Sequence, residues 1–190
     1  NWAAPDTGNL EIPHDHGPDE RKARWLEPLL DGKIRSCSSM SEPATSGSDP
    51  TNLAASAVLD GDEWVINGLK WFTSGANGAD LAIAMVITEP EGNPYARASM
   101  ILVPTDAPGY KLERPLSVMG HVKGPGHCEV SYTDCRVPKE NLLGERGAGF
   151  LIAQDRLGPG RIHHCMRAIG TAERALEMMC VYASKREAFG

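Results

Sequence analysis

Between Ile34 and about Val137 the chain is cut every few residues by Gly, Pro, Asn or Asp, and no interval is long enough for a helix of ordinary length. What remains is a series of short strand-like runs. Leu53, Ala55, Ala57 and Leu59 alternate with their neighbours, Asp60-Gly61-Asp62 is a hairpin signal, and Trp64 and Ile66 resume the period of two. Leu81 to Ile87 is an unbroken apolar run that suits a strand buried on both faces, and Ser99 to Val103 and Cys128 to Tyr132 read as further strands. Parallel neighbours need helical crossovers, so this spacing argues for an antiparallel sandwich or barrel.

Both flanks change to a helical pattern. Pro18 suits a first helical position, Asp19 and Glu20 favour the positive end of the helix dipole, and Trp25, Leu26, Leu29 and Leu30 form an apolar stripe. Pro28 and Asp31-Gly32 predict an irregular end to this helix. After Gly144 a short turn or helix begins at Phe150-Leu151-Ile152. Leu157-Gly158-Pro159-Gly160 predicts a break, and a long helix follows from Arg161. Its residues Ile162, Cys165 or Met166, Ile169, Ala172, Leu176, Met179 and Ala183 keep one face apolar and call for helical partners. The opening Asn1-Trp2 and the close at Phe189-Gly190, within a pattern that reads as still helical, suggest a piece of a longer protein. The expected fold is a multidomain α+β fragment. Residues 1–33 end an N-terminal helical domain, 34–144 form an antiparallel β-barrel or sandwich, and 145–190 begin a C-terminal helical bundle.

Composition narrows the function classes. The 190 residues carry 25 Asp+Glu against 19 Lys+Arg, a formal charge of −6, and no cluster of cations interleaved with aromatics. Nucleic acid gains no attraction from such a surface. The run Leu81 to Ile87 is far shorter than the roughly 20 residues that span a bilayer, so no transmembrane segment is expected. The five cysteines are widely spaced with no C-x-x-C pair, which reads as reduced thiols in an intracellular compartment.

Several eye-catching groups have bland explanations. His163 and His164 are adjacent on a helix and point about 100° apart, so they are poor partners for one ion, and no metal site is expected. Gly144-x-x-Gly147-x-Gly149 and Gly158-Pro159-Gly160 neither follow a buried strand in a βαβ unit nor carry a phosphate-loop Lys-Ser/Thr. No nucleophile elbow is present. Two segments offer more. Ser36 to Asp49 packs hydroxyls and a glycine into the end of a strand and the loop after it, a supply of donors for an anion or a heteroaromatic edge. Asn67 to Gly75 sets Trp71 and Phe72 beside Thr73 and Ser74, where an indole can stack on a flat ring. Either segment also fits a plain exposed polar loop.

Taken together, Met40-Ser41-Glu42-Pro43 with Gly47-Ser48-Asp49, followed by Val65-Ile66-Asn67-Gly68-x-Lys70-Trp71-Phe72-Thr73-Ser74-Gly75, resemble the flavin-binding middle domain of the acyl-CoA dehydrogenase family. Val137-Pro138-Lys139-Glu140-Asn141-Leu142-Leu143-Gly144 is similar to the stretch closing that domain, and Arg186-x-x-Phe189-Gly190 to the family's R-x-x-F-G motif. Asn1 to Asn9, Trp25 to Leu30 and Arg156 to Arg167 resemble the branch of family members ten and eleven and their bacterial relatives. The likeness runs the whole chain.

The resemblance implies an FAD-dependent acyl-CoA dehydrogenase. Such an enzyme takes the α-proton of an acyl-CoA onto a carboxylate and the β-hydrogen as hydride onto flavin N5, giving the trans-2-enoyl-CoA. It also implies electron transfer to an electron-transfer flavoprotein, a homo-oligomer (dimer or tetramer), a role in fatty acid β-oxidation, and a bacterial cytoplasm or a mitochondrial or peroxisomal matrix. An acyl-CoA oxidase or monooxygenase of the same superfamily is the alternative. By motif match, Ser38, Met40, Ser41 and Glu42 line the flavin, and Gly47 and Ser48 lie near the pyrophosphate, with Ser48 also toward CoA. Trp71 and Phe72 flank the isoalloxazine, and Thr73 offers its hydroxyl or N–H to the N5/O4 edge. Arg186 and Phe189 match residues that touch the FAD of a neighbouring subunit, and Gly160 and Arg161 border the thioester pocket. The chain departs from the family pattern at Ser38, where an aromatic is frequent, and at Ser41, which replaces Thr. Ala44-Thr45-Ser46 adds one residue to the loop. Gly160 stands where some members carry the catalytic glutamate, and Asp155 lies upstream of the expected break, so the base is expected beyond Gly190.

Overall fold

Strand β4 (Leu81–Ile87) is buried on both faces, as its unbroken apolar run requires, and the rest of the sheet is arranged around it. The computed structural model describes residues 5–17, 22–122 and 126–189. The other strands are β1 (Ser36–Ser39), β2 (Ser56–Asp60), β3 (Glu63–Ser74), β5 (Ala98–Pro104), β6 (Tyr110–Leu116), β7 (His127–Pro138) and β8 (Leu142–Leu143). They form one eight-stranded sheet in the order β6-β7-β3-β2-β4-β5-β8, with β1 also paired to β4. The helices are α1 (Asp6–His16), α2 (Glu27–Leu30) and α3 (Gly149–Ala183).

The hairpin signal is borne out: Asp60 pairs with Glu63, and Gly61 takes a φ of 62° in the turn. The expectation of an all-antiparallel arrangement needs correction. Strand β1 runs parallel to β4 through Ser36↔Leu81 to Ser39↔Ala84, and Ser56 of β2 meets Ile87 in the same sense. The crossover carrying the chain from β1 to β4 is built from a loop and the β2–β3 hairpin, not from a helix. Because β1 and β2 use successive stretches of β4, the chain leaves the sheet at Met40 and rejoins it at Ser56.

Alternation along β4 and β5 divides two apolar cores. Ala82, Ala84, Val86, Ile101 and Val103 face one, completed by Ile66, Val130, Tyr132 and three thiols, Cys37, Cys128 and Cys135. Leu81, Ile83, Met85, Met100 and Leu102 face the other, covered by Ile12 of α1, by Trp25, and by Ile152 and Ala153 at the start of α3. Leu59 keeps its place in the expected alternation, opposite the buried Trp64, but is itself exposed.

The helical expectations change in three ways. Residues 18–21 of the expected first helix lie outside the described residues, and Lys22–Leu26 is a π-helical turn leading directly into α2. Pro28 thereby falls in the first turn of α2, where its missing N–H is harmless. Second, α3 runs from Gly149 to Ala183 with Pro159 inside it, so the Gly-Pro-Gly sequence does not break the helix. A proline removes one hydrogen bond from a helix but need not end it when neighbouring turns persist. Third, α3 stops at Ala183 and residues 186–189 are irregular, where the pattern read as continuing helix.

Helix α1 has no apolar stripe to announce it. It is tied down by polar groups: Asp6 accepts from the Ser36 N–H (2.8 Å) and hydroxyl (2.7 Å) and from Arg35 Nε (2.7 Å). Asn9 Nδ2 donates to the Ser36 hydroxyl (3.0 Å) while its oxygen accepts from Arg156 Nε (3.0 Å). The glycines before α3 have a packing reason. Gly147 has a φ of 83° and a Cβ on Gly149 would sit 2.8 Å from the Ala98 carbonyl oxygen, so the helix start lies directly on the β5 backbone. Asn1–Arg156 form one compact unit and Leu157–Gly190 a second, in which the α3 residues Ile162, Met166, Ile169, Leu176 and Met179 are exposed.

Candidate functional site

The expected site residues of the first unit gather where β1 leaves the sheet and β3 loses its regular pairing with β7. Lys70 pairs with Val130 and Thr73 with Cys128, so three steps on β3 oppose two on β7, which is a β-bulge. Ordinary alternation would send Lys70 and Phe72 to the same face. The extra residue instead buries Lys70 and Thr73 and leaves Trp71 and Phe72 between them, half-buried and exposed respectively. Phe72 absorbs the irregularity with a φ of 49°. Its ring meets Trp71 edge-on, with centroids 4.8 Å apart, and lies 6.2 Å from His127, whose Nδ1 is 2.6 Å from the Ser74 hydroxyl.

The loop after β1 is fastened to this bulge. The Trp71 N–H donates to the Ser41 carbonyl at 3.0 Å. Lys70 Nζ, with no solvent exposure, donates to the Met40 carbonyl (2.9 Å) and to Glu42 Oε1 (2.8 Å). Glu42 in turn accepts from the Ala54 (2.7 Å) and Ala55 (3.0 Å) N–H groups, so one carboxylate closes both ends of the excursion from Met40 to Ala55. Burial pulls the Lys70 ammonium down to about 8, against the raising influence of the Glu42 charge and hydrogen bond. The Glu42 carboxylate is thus directed into the protein and used there.

Thr73 is fully buried. Its hydroxyl lies 3.2 Å from that of Ser39, which accepts from the Tyr132 phenol at 3.0 Å. Desolvation pushes the Tyr132 phenol well above its ordinary range, so it stays a neutral donor. Ser38 is half-buried and, by strand alternation, faces away from Ser39, toward the side where the Met40 side chain packs on the second core. Gly47 lies over Ser41: a Cβ there would stand 3.5 Å from the Ser41 hydroxyl oxygen. Ser48 is exposed and pairs with Ser46 through their hydroxyls (2.9 Å).

Ser41, Gly47, Trp71 and Phe72 therefore share one neighbourhood. Met40 and Glu42 contribute to it through the backbone and the buried pair, and Thr73 through Ser39. Gly160, Arg161, Arg186 and Phe189 belong to the second unit, all exposed. Asp155 is engaged by His16, with Nε2 3.3 Å from its carboxylate. Lys70, part of the sequence motif but assigned no role there, completes the constellation with Ser39, Tyr132 and His127, to which the sequence assigned no role either. A lysine in the middle of a strand pattern was the available signal for the first of them.

The donor set suits a flavin dinucleotide in kind. Two neighbouring aromatic rings offer flat surface, and the hydroxyls of Ser41, Ser46 and Ser48 around Gly47 offer neutral donors for phosphate oxygens. The loop from Met40 to Ala55 carries no cation of its own, so charge neutralisation would fall to a group outside it.

Comparison with known proteins gives this arrangement its context. Residues 37–135 match the family model described as "Acyl-CoA dehydrogenase, middle domain", and residues 147–190 match "Acyl-CoA dehydrogenase, C-terminal domain". The chain is 53% identical to the probable acyl-CoA dehydrogenase FadE2 of Mycobacterium tuberculosis, over 100% of this chain and 47% of that protein. It is 51% identical to acyl-CoA dehydrogenase family member 11 of Gallus gallus, over 100% of this chain and 25% of that one. A solved structure from Mycobacterium abscessus superposes with a TM-score of 0.87 at 50% identity, covering 99% of this chain and 47% of that one. The chain thus spans less than half the length of these relatives. Matched by both family models and over its whole length by these relatives, the chain belongs to the acyl-CoA dehydrogenase family.

Proposed function

We propose that the full-length protein is an FAD-dependent acyl-CoA dehydrogenase, converting an acyl-CoA thioester to its trans-2-enoyl-CoA with hydride transfer to flavin N5. The observation that carries this reading is the bulge at Trp71-Phe72, bonded through the Trp71 N–H to the Ser41 carbonyl of the hydroxyl-rich loop. In it, FAD supplies the hydride acceptor, and the chain's own task is to hold and align it. Trp71 lies against the ring system, Phe72 backs Trp71, the Ser41 hydroxyl lies near the ring, and Gly47 and Ser48 receive the phosphates. Ser38, Met40 and Glu42 shape the wall through the strand end and its loop. Thr73, whose hydroxyl lies against that of Ser39, offers either this hydroxyl or its backbone N–H to the N5/O4 edge of the flavin. Gly160, Arg161 and Ser48 border the acyl-CoA, while Arg186 and Phe189 serve the FAD of a second copy.

In the same reading, residues 1–33, 34–144 and 145–190 are parts of three domains of a homo-oligomer, and the base is an Asp or Glu carried after Gly190. Electrons leave to an electron-transfer flavoprotein, in a bacterial cytoplasm or an organelle matrix. Among the described residues no helix is long and apolar enough to cross a membrane. The test is an anaerobic acyl-CoA screen on the full-length protein. Flavin bleaching followed by slow reaction with oxygen is expected. Rapid peroxide formation would indicate an oxidase instead, and a colourless protein that acyl-CoA leaves unchanged would end the reading.

A further inference from the structure

We propose that the buried Lys70–Glu42 pair is a positioning device for the flavin loop, acting by holding the Met40 carbonyl and the two ends of the excursion from Met40 to Ala55 in place. The inference rests on the FAD reading above, adds Lys70 to it, and gives the Glu42 carboxylate a part played inside the protein. Its first support is the grip. Lys70 and Trp71 are consecutive, and each fastens one carbonyl of the loop, Met40 at 2.9 Å through the ammonium and Ser41 at 3.0 Å through the backbone N–H. The side of the bulge that turns inward therefore fixes the same loop that the outward aromatics flank.

The second support is energetic. Exchanging a buried ion pair for apolar groups of similar volume is often neutral or stabilising, because desolvation offsets most of the attraction. Lys70 and Glu42 are both almost wholly buried, with side-chain exposures of 0% and 3%, so their mutual attraction alone gives little reason to keep them. Geometry gives one. A methionine and a leucine would fill the space and leave the Met40 carbonyl and the Ala54 and Ala55 N–H groups without these partners.

Two variants of the full-length protein separate positioning from stability. Lys70→Met combined with Glu42→Leu removes both charges and with them the grip on Met40. Ile101→Ala opens a cavity in the core that it shares with Val130, away from the loop, and costs stability alone. The positioning role predicts that affinity and stability part company. The double variant binds FAD at least tenfold more weakly than the wild type. Ile101→Ala has a thermal midpoint as apo-protein at or below that of the double variant, yet stays within about threefold of wild-type affinity, tenfold corresponding to about 1.4 kcal/mol. FAD affinity following the midpoint in both variants would overturn the proposal. If the double variant does not fold, Lys70→Gln takes its place: affinity at least tenfold below that of Ile101→Ala supports positioning, and affinity equal to that of Ile101→Ala overturns it. A wild-type protein that binds no FAD would instead remove the parent reading.

Discussion

At the scale of single residues, the predictions separate what faces a ligand from what holds the fold. Trp71→Ala removes a stacking surface and should weaken FAD binding in the full-length protein by about 1–3 kcal/mol, the worth of a base–aromatic stack elsewhere, as titration of the apo-protein would show. Gly68→Ala should destabilise instead. Gly68 has a φ of 148°, and an added Cβ would overlap that of Ala55 while coming within 2.7 Å of the Ala55 Cα. Overpacking and backbone strain together should lower unfolding stability by roughly 2–4 kcal/mol in a denaturant titration. Lys70 adds a pH dependence. Its ammonium is lowered from 10.5 to about 8, chiefly by burial. Below that value folded and unfolded chains both hold the proton; between the two values the unfolded chain alone holds it, so this group's contribution to stability rises with pH across the window. Denaturation on either side of the window should show stability changing more favourably with pH in the wild type than in the double variant, because the raised Cys37 and Cys135 thiols, which lower stability over the same range, are common to both. The sequence made Trp71 legible because two adjacent aromatics in a polar setting are conspicuous. The role of Lys70, though the residue stands in the motif, was hidden, since nothing in a one-dimensional pattern says that a bulge will turn a lysine inward.

At the scale of elements, legibility followed the source of each element's stability. Strand β4 and the β2–β3 hairpin are stabilised by local apolar pattern and turn chemistry, and both were readable from Leu81 to Ile87 and from Asp60-Gly61-Asp62. Helix α1 is held by Asp6 and Asn9 against β1, a tertiary polar tether that leaves no periodic trace. The parallel pairing of β1 with β4 escaped because its crossover is made of a loop and a hairpin. Pro159 was read as a terminator, yet the helix passes through it. That position carries its own prediction: Pro159→Ala restores one backbone donor and should stabilise α3 by up to ~3 kcal/mol, seen as a higher thermal midpoint of the full-length protein. An unchanged or lower midpoint would mean the proline is already accommodated at no cost.

At the scale of the whole molecule, the proposed sharing of FAD between copies ties cofactor binding to assembly. Arg186→Ala should then lower FAD affinity and shift the full-length protein toward smaller species together, measured by sedimentation with and without added FAD. A monomer holding FAD stoichiometrically would break that link. The first unit also carries an internal reporter. Cys37, Cys128 and Cys135 are buried in one core, whereas Cys165 and Cys180 are exposed in the second unit. Burial raises Cys37 to about 12 and Cys135 to about 11, so solvent access and the reactive thiolate are withheld together. Alkylation of these three thiols therefore times the opening of the sheet. At low reagent concentration its rate follows the population of the open state, and at saturating reagent it levels off at the opening rate itself.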